Sequence, residues 1–364
     1  MILNIYQEEF KNGKSIFEIN LSKIKNNYFL LKKLSNHSEV SAVIKSNAYG
    51  CGAEIISKLL YKNGCKFFFV AKLDEAIDLR KVLPKNIKIA VLDGFLNQDI
   101  QIWKNLSILP VCNNLNQFKL SQKLNLKSVI HYDTGMNRLG LDCNEIEYLK
   151  NNANQFEIKN IELIMSHFAC SDNKKSPLNN IQIEKFKKIE NVFPNVSMSI
   201  ANSHGIFLGK KALFNMTRPG IALYGYLNYH QEALKPSARL LSPILQIRKA
   251  NKGETVGYDA SVKLERNSIL GILGLGYADG IKRALGNVSN IFLGEHKIPI
   301  VGRISMDTLT VDLSSIPSGK LDKLSYIPLI DDHYNILDVA NNCNTIPYEI
   351  MTSIGSRVKR VYIQ

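Results

Sequence analysis

From about residue 14 the chain alternates short apolar, β-branched runs with longer amphipathic stretches, the pattern of repeated βα units. Eight runs are predicted as strands: residues 40–44, 67–70, 89–92, 108–111, 129–132, 163–166, 196–200 and 213–216. Helical periodicity lies between them, as in Glu54–Leu60, Glu75–Leu79 and Gln182–Ile189. Eight such units predict a closed (β/α)8 TIM barrel over residues 14–235. An open doubly wound sheet would normally carry a G-x-G-x-x-G turn after its first strand, and that motif is absent there. After about residue 235 the helical period stops. Runs at 244–248, 268–273, 297–301 and 309–313 come with Gly, Asn and Pro turns, which predicts a mostly β C-terminal domain over 236–364. Residues 1–13 are expected to associate with that second domain.

Barrel enzymes build their sites at the carboxyl ends of the strands, and the polar residues of this chain collect there. Lys45 closes the first run and is followed by Ser46-Asn47-Ala48-Tyr49-Gly50. A strand-end lysine is ordinarily a solvated edge charge. A partly desolvated amine in that position has a lowered pKa and becomes a Schiff-base nucleophile or proton acceptor. Arg138 lies just past the fifth run, His167 ends the sixth, Asn202 and Ser203 end the seventh, and Arg218 with Gly220 and Ile221 follows the eighth. The last two loops form the usual phosphate-binding corner of such barrels. Ser203 brings a hydroxyl donor, and Gly220 lets backbone N–H groups approach an oxyanion closely.

Composition narrows the possibilities. Hydrophobic residues make up 45% of the 364 and charged ones 21%, proportions that suit a folded protein with a sizeable core. The net charge of +14 raises the question of nucleic acid, but the basic doublets, such as Lys32-Lys33 and Lys187-Lys188, are dispersed over segments that read as helices. They are read as surface, and no nucleic-acid partner is expected. Six cysteines form no C-x-x-C pair and no zinc-binding spacing, which fits a reduced compartment without a metal site. No basic leader and no apolar run of membrane-spanning length is visible, so a cytoplasmic protein is expected.

Taken together, Ala42–Gly50, Ala201-Asn202-Ser203, Arg218–Gly225, Val256-Gly257-Tyr258 and Val301–Asp307 resemble the bacterial alanine racemase family, whose members depend on pyridoxal 5'-phosphate (PLP). The resemblance spans nearly the whole chain. It implies that Lys45 carries PLP, that Tyr49, Ser203, Gly220 and Ile221 hold its phosphate beside Asn202, that His167 packs over its ring and that Arg218 faces its pyridine nitrogen. A guanidinium is always protonated and can only donate, so that nitrogen stays unprotonated and negative charge stays near the substrate's Cα, which suits racemisation. The resemblance also implies that Arg138 contacts the cofactor's phenolate oxygen and the substrate carboxylate. Met306 would offer that carboxylate its N–H, and Asp172, Tyr277, Arg283 and Arg303 would line a narrow substrate approach. Two groups must flank the cofactor plane for racemisation. The resemblance assigns them to Lys45 and to Tyr258 of the neighbouring subunit, hence a homodimer with shared active sites. The implied reaction interconverts L- and D-alanine and supplies D-alanine for peptidoglycan.

Three positions depart from the family pattern. His131 stands where many members carry a carbamylated lysine, which leaves open what orients Arg138. Ser356 replaces a phosphate-contacting tyrosine, and Cys51 a common histidine. Alternatives are a serine or broad-specificity racemase and, from another class, a non-catalytic PLP-binding barrel. The second domain and Tyr258 argue against the latter. A related PLP decarboxylase would place an acidic residue where Arg218 stands.

Overall fold

A computed structural model describes residues 12–96, 100–228 and 233–364. The chain forms two compact units, one of Ile24–Lys235 and one of the described residues up to Lys23 with Pro236–Gln364. The first strand, β1 (Ile16–Asn20), pairs antiparallel with residues 238–241 and parallel with residues 359–363. It therefore belongs to the β unit, which corrects the expected start of the barrel at residue 14. The run Ile16-Phe17-Glu18-Ile19 is followed at once by the helix Leu21–Leu34 and so imitates a βα unit, although its hydrogen-bonding partners lie at the far end of the chain. Of the segment expected to join the second domain, residues 1–11 lie outside the described residues.

The barrel unit begins with β2 (Glu39–Val40) and β3 (Ala42–Val43), followed by β4 (Phe67–Val70), β5 (Lys88–Val91), β6 (Ile108–Cys112), β7 (Ser128–His131), β8 (Ile161–Met165), β9 (Met198–Ser199) and β10 (Met216–Thr217). Each of the eight predicted runs contains or adjoins one of these strands. From β3 to β9 they pair in sequence order, all parallel, and β10 pairs parallel with β2. The ring closes through Asn215 N to Met198 O (3.1 Å), Arg218 N to Ala201 O (2.8 Å) and Val43 N to Pro219 O (2.9 Å).

Alternation along these strands explains the closure. Phe67, Phe69, Ala90, Leu109, Val111, Val129, Leu163, Met165 and Met216 form one buried cluster that fills the barrel. Ile130, Ile164 and Met198 point the other way, into a second cluster shared with the helical residues Phe118, Ile146, Leu149, Ile183 and Phe186. Both faces of the sheet are thus apolar and covered, as a parallel sheet requires. The inner packing makes a solid core in which Phe67 and Phe69 stack at 4.7 Å, and function is left to the loops at one end.

The β unit adds β11 (Ala238–Ala250), β12 (Thr255–Val256), β13 (Val262–Lys263), β14 (Ser268–Leu273), β15 (Asn290–Leu293), β16 (His296–Val301), β17 (Leu309–Asp312), β18 (Tyr326–Ile330) and β19 (Lys359–Ile363). Its main sheet runs β15-β16-β17-β14-β11-β1-β19, with β18 also on β11. Three short helices, Ser318–Leu321, Ile336–Asn342 and Pro347–Ser353, accompany it. Among the described residues no helix is long and apolar enough to cross a membrane, and no disulfide forms.

Candidate active site

Lys45 follows β3 at the carboxyl end of the barrel, and the chain then does something no sequence pattern announced. Ser46, Asn47, Ala48 and Tyr49 have φ of +53°, +54°, +55° and +55°, one turn of left-handed helix. Each non-glycine residue held this way costs roughly 1–2 kcal/mol, so the surroundings must fix it. The Glu75 carboxylate accepts from Ser46 N and Ala71 N, Asn47 Oδ1 accepts from Ala53 N (2.8 Å), and Gly52 N donates to Asn47 O (2.9 Å). Ala48 and Tyr49 are buried beneath. The Lys45 amine is half-buried. Its pKa is lowered first by burial and then by the nearby Arg138 charge, against the opposing pull of Glu75 and Asp93.

The same turn delivers Tyr49 to the corner after β9 and β10. Ser203 Oγ accepts from Gly220 N (2.9 Å) and Ala222 N (3.2 Å), which leaves its hydroxyl hydrogen available to donate. A Cβ on Gly220 would lie 2.1 Å from Tyr49 Oη, so only glycine permits the close approach. The tyrosine ring packs against Tyr224, with centroids 5.3 Å apart. Ile221 opens the short turn Ile221–Tyr224 and is fully buried.

Arg218 is 3% exposed. Its guanidinium donates to Ser199 O (2.8 Å), Ser199 Oγ (2.5 Å) and Ser166 O, and lies over the Phe69 ring at 5.9 Å. Burial lowers its pKa, and no carboxylate pairs with it among the described residues. His167 Nδ1 stands 3.5 Å from Arg218 and its Nε2 3.5 Å from Asn202 Nδ2. Burial, then the charges of Arg218 and Arg138, hold the His167 ring neutral well below its usual range. Asn202 Oδ1 accepts from Ser171 Oγ and Gly205 N, both 2.8 Å, which fixes its amide. Gln182, on the helix Pro177–Lys187, donates to His167 O (2.9 Å) and Thr134 Oγ1 (3.1 Å).

Arg138 is exposed on the loop Asp133–Gly140. Burial would raise the Asp133 carboxyl, but the N–H groups of Gly135, Met136 and Asn137 hold it below the usual carboxylate range and organise the loop. Asp172 is exposed in the same unit and its charge reaches His204. Cys51 is buried directly after the left-handed turn.

The β unit carries the other expected residues. Tyr258 is 70% exposed, in a turn opened by Gly257 (φ +76°) and tied down by an Asp259–Arg303 ion pair of 2.8 Å. Tyr277 N donates to Ser305 O and Ala278 N to Met306 O, both 3.0 Å, so Tyr277 and Met306 share one edge and are 45% and 53% exposed. The turn bearing Arg283 ends at Gly286, where a Cβ would lie 2.8 Å from Gly302 O and 3.4 Å from Arg303 Cα, so the end of this turn packs against the Gly302–Arg303 backbone. Ser356 is exposed beside Arg357, whose guanidinium pairs with Asp279 (3.0 Å) and Asp307 (2.8 Å).

Residues 19–228 match the family model "Alanine racemase, N-terminal domain" and residues 237–362 match "Alanine racemase, C-terminal domain". The chain belongs to the alanine racemase family. Similar proteins include the alanine racemases of Rickettsia canadensis, 39% identical over 94% of this chain and 98% of that protein, and Rickettsia akari, 40% identical over 95% and 98%. Among solved structures, the fold is similar to alanine racemase from Bartonella henselae with covalently bound pyridoxal phosphate. The TM-score is 0.88 at 39% identity, over 96% of this chain and 99% of that one. The biosynthetic alanine racemase from Pseudomonas aeruginosa gives a TM-score of 0.86 at 29% identity, over 96% and 99%. The family's two-domain pattern matches the expected fold class of a TIM-type barrel followed by a mostly β domain.

Sequence reasoning missed several supporting residues. Ser166 and Ser199 hold Arg218, Gln182 buttresses His167, and Glu75 pins the left-handed turn. A small polar residue at the end of an apolar run was the available signal for the two serines.

Proposed function

We propose that this protein is an alanine racemase in activity, interconverting L- and D-alanine with PLP carried on Lys45 and thereby supplying D-alanine for peptidoglycan. One observation carries the reading. A desolvated lysine beside a strained turn opens onto a corner where Ser203, Gly220 and Tyr49 converge, near a buried arginine that has no carboxylate partner among the described residues. The donor hydrogen of Ser203 and the Tyr49 hydroxyl held against the Gly220 backbone suit the phosphate of PLP. When bound, the cofactor supplies an electron sink that makes an amino acid's Cα–H acidic.

The chain's own residues account for the rest. Burial lowers the Lys45 pKa and so raises its fraction of free amine near neutrality, which is what a nucleophile and a proton acceptor need. Arg218, which can only donate, holds the cofactor's ring nitrogen unprotonated and keeps charge near Cα. Arg138 and Met306 N–H bind the substrate carboxylate. Tyr258 of the partner subunit returns the proton on the face opposite Lys45. The wide exposure of Tyr258 in a single chain supports a group that is completed only by a second copy. A homodimer in the cytoplasm, with Asp172, Tyr277, Arg283 and Arg303 along the substrate approach, is part of this proposal.

The deciding experiment is racemisation by the purified, PLP-loaded protein across a panel of L-amino acids. D-alanine as the dominant product is expected. Preferential turnover of serine, or equal turnover of many amino acids, would replace alanine by a broader substrate class, and no turnover of any would overturn the enzymatic reading.

A further inference from the structure

His131 ends β7 and is 6% exposed, where it takes part in a chain of hydrogen bonds. Its Nδ1 lies 2.8 Å from Asn113 Oδ1. The Asn113 amide has only one workable orientation, because its Nδ2 donates to Leu92 O (2.8 Å) and a flip would set two acceptors against each other. Its backbone is fixed as well, since Asn113 N donates to Gln117 Oε1 (2.7 Å) while Gln117 Nε2 donates to Phe95 O (2.7 Å). Oδ1 must therefore accept, and His131 Nδ1 must carry the proton. In a neutral ring Nε2 is then an acceptor.

The loop that bears Arg138 returns to this histidine. Leu141 N donates to His131 O (2.7 Å) and Asp133 N to Leu141 O (3.0 Å), so the segment from Asp133 to Gly140 is closed against the end of β7. A guanidinium needs acceptors and would be repelled by an imidazolium. We propose that Asn113 is a positioning residue that fixes His131 in its Nδ1–H tautomer and so presents Nε2 as the acceptor that orients Arg138 toward the substrate carboxylate. The role of Arg138 at the carboxylate rests on the alanine racemase reading above; the Asn113–His131 pair does not.

Burial, then the charge of Arg218, push the His131 pKa down to about 3, with Arg138 adding to this and Asp133 opposing it, and His167 is held neutral nearby. The acceptor is thus available across the whole working pH range.

Two isosteres separate the halves of the device, since the amide of Asn overlays Nδ1 of histidine and that of Gln overlays Nε2. His131→Gln keeps an acceptor toward Arg138 and should hold KM for L-alanine within about threefold, whereas His131→Asn loses it and should raise KM roughly tenfold or more, with kcat changed much less. Titrating L-alanine against the cofactor's absorbance reads the same contrast without turnover. Asn113→Asp places a carboxylate at Nδ1, favours the imidazolium and should introduce into the KM profile an ionisation that the wild type lacks. 15N NMR of the histidine-labelled wild-type holoenzyme, assigned with His131→Gln, should show Nδ1 protonated and Nε2 bare, and needs no altered side chain to fold. A protonated Nε2, or His131→Asn binding alanine as well as His131→Gln, overturns the proposal. Failure to racemise any amino acid, with Nε2 bare, would overturn the functional reading instead.

Discussion

The carboxyl end of the barrel and the exposed edge of the β unit hold polar groups of opposite character. In the barrel, Arg218, His131 and Ser203 are buried and His167 is half-buried, each held by hydrogen bonds within the chain, and the backbone beside Lys45 is strained. On the β unit, Tyr258, Tyr277 and Met306 lie open on turns braced by their own backbone and by the Asp259–Arg303 pair. The barrel end is preorganised within one chain, as a site that must set pKa values requires. The β edge offers exposed side chains, whose surroundings a second copy completes in the proposed dimer. Function as proposed needs both, so substitutions in the two regions should fail in different ways.

The largest effect is expected at Lys45. Lys45→Ala should lose racemisation to background, a drop on the order of 10⁴ or more, because nucleophile and proton acceptor go together. Borohydride reduction of the wild type followed by peptide mapping should find the pyridoxyl group on Lys45 alone; label on another lysine would sink the assignment. Tyr258→Phe should retain the cofactor's spectrum and lose roughly two orders of magnitude in turnover or more, the usual weight of an acid/base group. Mixing the two inactive variants under conditions of subunit exchange should restore activity through one intact composite site. Verified exchange without restoration would put both groups in one chain's site.

The two regions should also respond to acid with opposite signs. His131, His167 and His204 in the barrel all have lowered folded pKa values, chiefly through burial. As pH falls below about 6.5, the unfolded chain takes up protons that the folded barrel refuses, so stability present above that pH is progressively lost. At pH 5.5 the loss is about 1.4 kcal/mol each for His131 and His167, or about 3 kcal/mol for the two, with a smaller share from His204. In the β unit, Glu18 is raised by burial against the opposing charge of Arg239. Its folded form holds a proton that the unfolded form releases, so its contribution is present at low pH and lost as pH rises through the folded value. Hydrogen exchange at pH 7.5 and 5.5, read peptide by peptide and corrected for intrinsic rates, should show the barrel weakening relative to the β unit. Equal weakening of both would contradict the assignment of these shifts.

What the sequence made legible follows the same division. Short apolar runs between amphipathic stretches, and the polar residues that end those runs, placed Lys45, Arg138, His167, Asn202, Ser203 and Arg218 at one end of a parallel barrel, because the strand-then-helix order and the residue that ends each run are local properties of sequence. The membership of Ile16–Asn20 was illegible, since a strand's partners are set by distant segments, here 238–241 and 359–363. So was the orientation of Asn113, which depends on carbonyls delivered by neighbouring strands and loops. The left-handed turn at Ser46–Tyr49 runs against local propensity, and the distant Glu75 carboxylate joins the local Asn47 bonds to Gly52 and Ala53 in sustaining it.

That turn supports the smallest and most discriminating prediction. Ser46 is exposed, has φ +53° and donates only its backbone N–H, to Glu75, so glycine can replace it without losing that bond. Glycine removes the left-handed penalty of roughly 1–2 kcal/mol but adds unfolded-state entropy worth about 0.5–1, so Ser46→Gly should stabilise the protein by about 0.5–1 kcal/mol in denaturant unfolding. The same change lets the residue next to Lys45 visit right-handed conformations and so loosens the amine's aim, and kcat should fall a few-fold while KM holds. If stability rises and kcat does not fall, the strain is incidental to catalysis. If stability falls, the Ser46 side chain itself helps hold the turn, and the barrel end is less costly to keep preorganised than the comparison with the β edge implies.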